Sequence, residues 1–453
     1  MTVHDIRTRN TPRVCKTGVS VSITLRRIAK KAREKPQYKF QNLYGMIDME
    51  LLRLAWRQLN KRAASGVDQV SAKEYERNLD ENLDDLIDRL KDKKYRAKLV
   101  KRQYIPKPNG KMRPLGITAV EDKLLQKAVT MILEAIYEQV FLPSSYGYRP
   151  GKNAKDAVKN LRDKLNFGEY EYVVEADIKG FFDNLDQKKL IEMLKVRIDD
   201  KNLLRLIQKW LRVGVLEPDG KVVNPLMGTP QGGIISPILA NVYLHYVLDE
   251  WVKLTVRPNS KMDLMYVRYA DDFVCAFKSK QEAEKFYYEL PKRLGWFGLE
   301  VAKEKTRILK FGWVWGSKSE RFDFLGFELR WDKDRKGKPI VNRRTGRPRL
   351  RKSLADLSEW LKANRSVKQE KLIEDLNAQL KGYYNYYGVI GNSKSLGEYH
   401  YQLRRLLYKW LNRRSQKKSM NWIQFNARVT PKLLNPRITE KRVLQRKLPG
   451  IRC

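Results

Sequence analysis

Two apolar segments of this chain carry aspartates at positions where burial is costly. The run EYVVEADI (171–178) is predicted to form a buried strand that ends at Asp177. The run MYVRYADDFVCAF (265–277) is predicted to form two short strands, with Asp271 and Asp272 in the tight turn between them. Carboxylates beside buried strands are unfavourable unless a cation compensates them. The two segments therefore predict a sheet that carries a cluster of acidic groups.

Carboxylates contributed by two strands suit a particular chemistry. They can hold two Mg²⁺ ions about 3.5–4 Å apart, the geometry of in-line nucleotidyl transfer. One ion would lower the pKa of a primer 3′-hydroxyl, and the other would neutralise the leaving pyrophosphate. An aromatic-small-Asp-Asp tetrapeptide by itself is often only an acidic turn, so this interpretation depends on the surrounding sequence.

The net charge of +41, from 93 basic and 52 acidic residues, predicts a polyanionic partner. A solvated basic surface and a ribosome-associated protein are the alternatives. Residues 1–45 hold 11 basic and 2 acidic residues, and residues 331–453 hold 31 basic and 9 acidic residues. We therefore expect the two ends to grip nucleic acid and the middle to hold the catalytic groups.

Several classes of protein are disfavoured by the composition. No run of eighteen apolar residues is present, which argues against a membrane span, and the first ten residues lack the apolar core of a secretion signal. The three cysteines, Cys15, Cys275 and Cys453, form no CxxC pair, so neither a structural zinc site nor a disulfide framework is indicated. We expect a protein of the reducing bacterial cytoplasm.

Local patterns predict the main elements. Asp48 is predicted to cap a helix that carries Leu51, Leu52, Ala55 and Leu59 on one stripe, and Asn109-Gly110 is predicted to turn a β-hairpin. The other predicted elements are helices over 72–91, 120–140 and 280–295, a strand pair over 306–330, a basic linker over 331–351, and three helices within 352–418.

A series of motifs surrounds the aspartates in a fixed order. ADIKGFFDNLD contains Asp177, NPLMGTPQGGIISPILANVYL (224–244) follows, and RYADDFV contains Asp271 and Asp272. This order resembles reverse transcriptases. With KRAASGVDQVS, IPKPNGKMRPLGI, SYGYRPGKNAKDA, GLEVAKEKTRI and FDFLGFEL, the chain resembles bacterial group II intron reverse transcriptase/maturases from about residue 46 to 420. The block at 65–68 (SGVD) is a mark of this lineage that retroviral enzymes lack.

The resemblance implies an α+β right-hand polymerase with an antiparallel-sheet palm, mixed fingers and a helical thumb. The implied domains are a basic N-terminal arm (1–45), fingers with an N-terminal extension (46–170), a palm with the catalytic site (171–330), a basic linker (331–351), a helical thumb or maturase region (352–420) and a basic C-terminal tail (421–453).

The resemblance also assigns site residues and two Mg²⁺ ions. Its metal ligands are Asp177, Ile178, Asp271 and Asp272, and the three aspartates are catalytic. Its nucleotide-binding residues are Lys107, Arg113, Phe182, Gln231 and Lys305. Its nucleic-acid contacts are Arg149, Phe324, Leu325, Gly326, Arg404, Arg405, Arg413 and Arg414.

Several of these residues have a second interpretation. Phe182 would lie under the sugar and exclude a 2′-hydroxyl, unless it is a core aromatic, a role that its neighbour Phe181 suits better. Lys107 and Arg113 would neutralise a triphosphate or be solvated charges. Lys305 would be a general acid for pyrophosphate or an exposed helix-end lysine. The tyrosines of LKGYYNYYGV (380–389) suit helix packing better than base stacking.

The implied function is RNA-directed DNA synthesis by a group II intron protein of a mobile element. It would bind intron RNA to assist splicing, and use dNTPs and an RNA template with a DNA primer during retrohoming into target DNA. No paired cysteines and histidines of a C-terminal endonuclease domain are found in the sequence. The alternatives are a splicing cofactor with a vestigial polymerase, a related enzyme recruited to defence or repair, a diversity-generating or retron enzyme, and a metal-dependent nuclease or transposase.

Overall fold

The computed structural model describes residues 18–106, 112–230, 232–313, 320–414 and 420–440. The chain divides into two compact units. The first comprises Met1–Pro150, Ile178–Pro258 and Glu289–Val301. The second comprises Gly151–Asp177, Asn259–Tyr288 and Ala302–Cys453. The boundary at 177/178 falls within the motif that contains the first predicted catalytic aspartate.

Helices dominate both units. They are α1 Gly18–Glu34, α2 Met49–Gln58, α3 Ala72–Arg77, α4 Leu79–Lys91, α5 Val120–Tyr137, α6 Ala154–Phe167, α7 Phe181–Asn184, α8 Gln187–Lys195, α9 Lys201–Arg212, α10 Ser236–Leu244, α11 Lys280–Gly295, α12 Arg347–Ala363, α13 Gln369–Tyr387, α14 Ser393–Leu411 and α15 Trp422–Arg428. Within the described residues, none of these helices is both long enough and apolar enough to cross a membrane.

The strands of the described residues form three sheets. They are β1 Val100–Pro106, β2 Met112–Ile117, β3 Tyr172–Ala176, β4 Val215–Leu216, β5 Val222–Val223, β6 Met265–Tyr269, β7 Asp272–Phe277, β8 Arg307–Lys310, β9 Phe322–Phe324, β10 Phe327–Lys333 and β11 Pro339–Thr345.

Short polar side chains begin several helices, as the sequence predicts at Asp48. The Asp48 carboxylate accepts a hydrogen bond of 2.9 Å from the Leu51 N–H at the start of α2. The Ser71 hydroxyl accepts one of 3.2 Å from the Glu74 N–H at the start of α3. Each cap satisfies a donor that has no partner within the helix, an interaction worth about 1 kcal/mol.

The first unit contains a sheet in the order β2-β1-β4-β5. Strands β1 and β2 pair antiparallel from Lys101 and Ile117 to Pro106 and Met112. This pairing confirms the predicted hairpin, although its turn, including Asn109-Gly110, lies outside the described residues.

The second unit contains the predicted sheet of apolar strands, in the order β6-β7-β3-β8 with every neighbouring pair antiparallel. Val173 and Val174 of β3 are fully buried, and β6 and β7 are buried at successive positions. Such continuous burial requires cover on both faces. Phe286 of α11 packs against Phe277 of β7 with the ring centroids 5.4 Å apart.

The second unit also contains a three-stranded sheet and a C-terminal helical segment. Strand β10 pairs antiparallel with both β9 and β11. Helices α12–α15 enclose a core that includes Leu361, Leu376, Leu403 and Phe425. The helices predicted within 352–418 are therefore confirmed, and they share one apolar core.

The predicted basic arm without regular structure is wrong for residues 18–34, which form α1. Val21, Ile28 and Ala32 are buried and recur on one face of this helix. Helix α1 packs against α5. The many basic residues between these positions conceal a narrow apolar stripe.

The predicted basic linker over 331–351 is also wrong. Residues of this segment complete β10, form β11 and begin α12. Gly337, with φ at +78°, lies in the connection between β10 and β11. The Gly and Pro residues therefore mark a hairpin and a helix start rather than an unstructured connection.

Three other segments differ in detail from the predictions. The helix predicted over 72–91 is interrupted at Asn78, which separates α3 from α4. Where a strand pair is predicted over 306–330, the described residues form three strands, of which β8 joins the sheet of β3. The C-terminal tail contains α15, and its Phe425 and Val429 are fully buried in the helical core.

Candidate active site

The Asp271-Asp272 motif lies at a strained hairpin turn. Tyr269 pairs with Asp272, so Ala270 and Asp271 form the two-residue connection between β6 and β7. Ala270 has φ of +56°, a left-handed conformation that residues other than glycine adopt at a cost of about 1–2 kcal/mol. The fully buried Arg268 donates a hydrogen bond of 3.0 Å to the Ala270 carbonyl. The structure therefore stabilises this turn from beneath.

Sheet register places Asp177 opposite Asp272. Ala176 of β3 pairs with Phe273 of β7 in an antiparallel ladder, so the next positions along it are Asp177 and Asp272. Side chains at directly opposed positions have Cβ atoms about 4.5–5.5 Å apart. The two predicted aspartate sites are thereby brought together within the second unit.

The electrostatic cost of this arrangement falls on Asp272. The pKa of Asp272 is raised from 3.8 to about 7. The largest cause is the loss of hydration where the surrounding protein covers the carboxyl group. The negative charges of Asp271 and Asp177 contribute to this rise, and the ammonium of Lys305 opposes it. A cation bound beside Asp272 would relieve the same repulsion.

Lys305 supplies a positive charge at the site. It ends a single helical turn, Lys303–Lys305, and its ammonium forms an ion pair with the Asp177 carboxylate. The hydrogen bond to Asp177 raises the pKa of Lys305. Lys305 is therefore beside the predicted catalytic carboxylates, as expected of a proton donor, and its charge is engaged with one of them.

Glu175 and Asp323 also belong to this site, and neither is among the predicted site residues. A cavity of ≈ 350 Å³ is lined by Glu175, Ala176, Asp177, Asp272, Phe273, Glu304, Lys305, Arg307, Asp323, Phe324 and Leu325. Glu175 forms an ion pair of 3.1 Å with Arg307, its partner across β3 and β8. Strand alternation predicts Glu175, because residues two apart share a face. Asp323 has no such sequence signal, because its strand, β9, reaches the cavity only through tertiary folding.

Ile178 is positioned by the strand end that also positions Asp177. Ile178 is buried and forms an isolated antiparallel bridge with Val301. The hydrogen bonds of this bridge use the Lys179 N–H and the Asp177 carbonyl. Neither bond uses the Ile178 carbonyl, which is the only oxygen that this residue could offer to a metal.

The predicted Phe324-Leu325-Gly326 segment turns the β9–β10 hairpin. Phe324 pairs with Phe327, which leaves Leu325 and Gly326 in the turn, with φ of +51° and +79°. Phe324 and Leu325 line the same cavity as Asp177. This turn therefore lies beside the carboxylates.

Phe182 lies in the first unit, in the one-turn helix α7. Its ring is half-buried and meets Phe181 and Tyr148 edge-on, with centroids 5.3 and 6.5 Å away. Phe181 is 2% exposed and is the core member of the pair. Phe182 lines a second cavity of ≈ 350 Å³ with Arg102, Tyr104, Pro114, Asp183, Val215, Pro225, Met227, Gly228, Thr229 and Pro230.

The described backbone on either side of Gln231 packs against the Phe182 turn and against β2. The Thr229 N–H donates a hydrogen bond of 2.8 Å to the Phe182 carbonyl. A Cβ on Gly232, whose φ is +109°, would lie 2.5 Å from the Gly116 carbonyl oxygen. Close backbone approach therefore requires glycine at 232, and the partner there is β2.

Two other predicted nucleotide contacts, Lys107 and Gln231, lie outside the described residues. Arg113 is exposed on β2, opposite Ile105 of β1. Of the predicted nucleotide-binding residues, Lys305 is in the second unit with the aspartates, whereas Arg113 and Phe182 are in the first.

The environment of Arg149 does not favour the predicted template contact. Arg149 is buried, forms an ion pair of 2.9 Å with Glu138, and donates hydrogen bonds to the carbonyls of Leu142 and Ser145. Its guanidinium also lies over the Phe141 ring. These contacts hold together the loop after α5, so we replace the template role with a structural one.

The four predicted arginines near the end of α14 differ in exposure. Arg405, Arg413 and Arg414 are exposed, with Arg405 over the ring of Tyr401 and Arg413 over that of Trp410. Arg404 is half-buried and donates a hydrogen bond of 2.6 Å to the Asn426 side chain. Three of the four are thus presented to solvent, and Arg404 connects α14 to α15.

The antiparallel sheet, its paired aspartates and the preceding PQG segment together define a nucleic-acid polymerase of the reverse transcriptase class. The family model described as reverse transcriptase (RNA-dependent DNA polymerase) matches residues 105–329. The model for the group II intron maturase-specific domain matches residues 350–426. The first match includes the sheet β6-β7-β3-β8, and the second includes most of helices α12–α14.

Three relatives each match 70% or more of this chain. The group II intron-encoded protein LtrA of Lactococcus lactis subsp. cremoris is 31% identical over 463 residues, covering 83% of this chain and 75% of that protein. Protein YkfC of Escherichia coli is 31% identical over 375 residues, covering 75% of this chain and 96% of that protein. An uncharacterized 91 kDa protein in a cob intron of Schizosaccharomyces pombe is 29% identical, covering 70% of this chain and 47% of that protein.

The chain belongs to the group II intron reverse transcriptase/maturase family, and it is an RNA-directed DNA polymerase. The predicted fold class and enzymatic class are confirmed, and the intron interpretation is favoured over the alternatives. Reverse transcriptases generally use Mg²⁺, and the family acts on RNA, DNA and nucleotides.

Proposed function

We propose that this protein binds the RNA of its own group II intron, assists its splicing, and copies it into DNA during retrohoming into target DNA. The observation that carries the catalytic part is the register that sets Asp177 opposite Asp272. The basic C-terminal third, with 31 basic and 9 acidic residues over 331–453, supports the RNA-binding part. We assign the protein to the bacterial cytoplasm, where the intron transcript is made.

Two Mg²⁺ ions are the proposed cofactor, held by Asp177, Asp271, Asp272 and the Ile178 carbonyl. Within the ranges that the structure describes, no three His, Cys, Asp or Glu side chains are already arranged to hold a metal ion. The donor chemistry nevertheless fits, because carboxylate and carbonyl oxygens are the ligands that Mg²⁺ prefers. The raised pKa of Asp272 and the ion pair of Lys305 with Asp177 both indicate a place where positive charge is stabilising.

The chain's own residues have distinct proposed roles around these ions. Bound Mg²⁺ supplies activation of the primer 3′-hydroxyl and neutralisation of the leaving pyrophosphate. The ions would be held in place by Asp177, Asp271 and Asp272, which lie at or beside the ends of β3 and β7. Lys305 donates a proton to pyrophosphate, a role that requires its ammonium to exchange the Asp177 carboxylate for a phosphate oxygen.

Nucleotide selection is proposed for the first unit. Phe182 would exclude a 2′-hydroxyl by steric clash, because it lines an open cavity rather than the core. Arg113, on β2, and Lys107 would neutralise the triphosphate, and Gln231 would pack against the nucleotide. The proposed domains are the fingers (46–170), the palm (171–330) and the thumb (352–420).

Nucleic-acid contacts are proposed for two places in the second unit. Phe324, Leu325 and Gly326 would touch the primer end beside the carboxylates. Arg405, Arg413 and Arg414 would meet phosphates, which positions RNA without reading its sequence.

A paired assay tests the whole proposal. The purified protein and its precursor intron RNA are assayed for splicing and for cDNA synthesis on a primed RNA template, with wild type beside Asp271→Asn. We expect the variant to retain splicing and to lose cDNA synthesis, because RNA binding does not use the metal-binding carboxylates. Failure of the wild type to stimulate splicing would contradict the maturase role, and loss of both activities in the variant would contradict the separation of the two sites.

A further inference from the structure

The β9–β10 turn holds a residue in a conformation that its side chain disfavours. Leu325 has φ of +51° and Gly326 has φ of +79°, the pattern of a two-residue hairpin in which both central residues are left-handed. Asn-Gly is the usual sequence for this turn, because asparagine and glycine tolerate positive φ. Leucine does not, so contacts from outside the turn have to hold Leu325 in place.

Two groups outside the turn provide those contacts. The Tyr386 hydroxyl donates a hydrogen bond of 2.9 Å to the Leu325 carbonyl. The Gly346 N–H donates one of 3.0 Å to the Gly326 carbonyl. Both carbonyls of the strained turn are therefore held by chain segments beyond the hairpin.

The end of α13 closes over the same turn. The Tyr386 ring is stacked on Phe327, with centroids 5.7 Å apart and planes at 20°. A Cβ on Gly326 would lie 3.0 Å from the Tyr387 hydroxyl. The helix end and the turn are thus in direct contact through both a hydrogen bond and ring packing.

This turn lies beside the predicted catalytic carboxylates. Leu325 and Phe324 line the cavity that also contains Asp177 and Asp272. Burial raises the pKa of Tyr386 to about 12, and the negative charge of Asp272 contributes to that rise. Tyr386 therefore remains a protonated hydrogen-bond donor at neutral pH, within electrostatic reach of a catalytic carboxylate.

We propose that Tyr386 is a positioning residue for nucleotide addition, whose hydroxyl fixes the Leu325 turn against which the primer 3′ end is placed. Tyr386 belongs to the region that matches the maturase-specific domain, and Leu325 to the region that matches the reverse transcriptase. The contact gives the maturase region a direct part in DNA synthesis, besides RNA binding. The inference rests on the proposed polymerase site.

The first test removes only the hydroxyl. Tyr386→Phe keeps the ring stacked on Phe327, and Tyr288→Phe, at an exposed tyrosine of α11, is the matched control. Single-nucleotide addition is measured at saturating dNTP and saturating primer–template. We expect Tyr386→Phe to lower the maximal rate about three- to tenfold, the effect of one lost hydrogen bond, with the KM for dNTP and the Kd for primer–template within about twofold of wild type. An unchanged maximal rate would overturn the proposal, as would a loss confined to KM or Kd.

The second test asks whether the hydroxyl acts through the turn. Leu325→Asn places a residue that tolerates positive φ at the strained position. In the Leu325→Asn background, Tyr386→Phe should change the rate less than it does in the wild type. An equal loss in both backgrounds would mean that Tyr386 acts directly, which contradicts a positioning role.

Hydrogen exchange supplies a readout that does not depend on catalysis. Amides within 322–330 should exchange faster in Tyr386→Phe than in wild type and in Tyr288→Phe. If the wild-type protein makes no DNA, the proposed function fails, while faster exchange still supports the hold of Tyr386 on the turn. Equal exchange in all three proteins would overturn that hold.

Discussion

Asp177 and Asp272 stand opposite each other at the ends of adjacent antiparallel strands, one position beyond the pair formed by Ala176 and Phe273. Two carboxylates so placed repel each other, and the surrounding protein limits their hydration. The ionised carboxylates therefore destabilise the folded protein at this point, and a bound cation would offset that repulsion.

The raised pKa of Asp272 predicts a pH-dependent stability in the absence of metal. A carboxyl group whose pKa is 3.8 unfolded and about 7 folded favours the folded state when protonated. That contribution is complete below about pH 4 and is lost as the pH rises through about 7. Asp272→Asn is never charged at this position. Its Tm should therefore increase relative to that of wild type as the pH rises from about 4 to about 7.

The measurement is Tm against pH in EDTA for wild type, Asp272→Asn and the control Asp84→Asn, at an exposed position of α4. Adding Mg²⁺ at pH 8 should raise the Tm of wild type and leave that of Asp272→Asn nearly unchanged. A difference between wild type and Asp272→Asn that is constant across the pH range would contradict the shifted pKa.

Phe182→Ala should increase ribonucleotide incorporation much more than it lowers deoxynucleotide use. The truncation removes a proposed clash with the 2′-hydroxyl and leaves the carboxylates of the second unit in place. Paired ribo- and deoxynucleotide extension gives the ratio of the two kcat/KM values. Phe167→Ala, at a residue that is 79% exposed, is the matched control. The same ratio in Phe182→Ala and wild type would place the selectivity elsewhere.

Neutralising Arg405, Arg413 and Arg414 together to glutamine should weaken RNA binding and flatten its salt dependence. Each lost phosphate contact lowers the slope of log affinity against log salt by about 0.7–0.9, so three contacts lower it by about 2–3. The control removes three charges from α11 by Lys280→Gln, Lys285→Gln and Lys292→Gln. Arg404 is left intact because it bonds Asn426. Equal slopes for the two triple variants would show that only net charge matters.

Glu440→Gln should destabilise the second unit. Arg343 is fully buried, and its guanidinium forms an ion pair with the Glu440 carboxylate, which also accepts a hydrogen bond from the Ile390 N–H. Removing one partner of a buried pair costs about 3–5 kcal/mol, because the other charge is left uncompensated. Urea unfolding of Glu440→Gln beside the exposed Glu398→Gln measures the difference. A loss as small as that of the control would contradict this role of the pair.

The sequence predicts the site residues at strand ends more completely than those that reach the cavity through tertiary packing. Asp177 and Asp272 follow from apolar runs, because strand ends and hairpin turns have local signals. Glu175 shares a face with Asp177 and was within reach of the same alternation. Asp323 and Tyr386 were not, since their approach to the cavity depends on how β9, β10 and α13 pack.

Basic composition concealed regular structure in the same way at several places. Helix α1 and strand β11 were predicted as an arm and a linker because Lys and Arg outnumber the few buried residues. Val341 and Arg343 of β11 are both fully buried, and an arginine is a poor signal of a core position. Arg149 illustrates the reverse case, since a charge predicted to meet nucleic acid is instead paired with Glu138.

Single-turnover primer extension on an RNA template tests the central claim most directly. The compared proteins are wild type, Asp177→Asn, Asp272→Asn and the control Asp84→Asn, each across a Mg²⁺ titration. The account predicts that the two site variants lose extension by at least about a thousandfold, because the metals organise the transfer. Asp84→Asn should match wild type at every Mg²⁺ concentration. Extension by Asp177→Asn or Asp272→Asn at the wild-type rate would contradict the assignment of the active site.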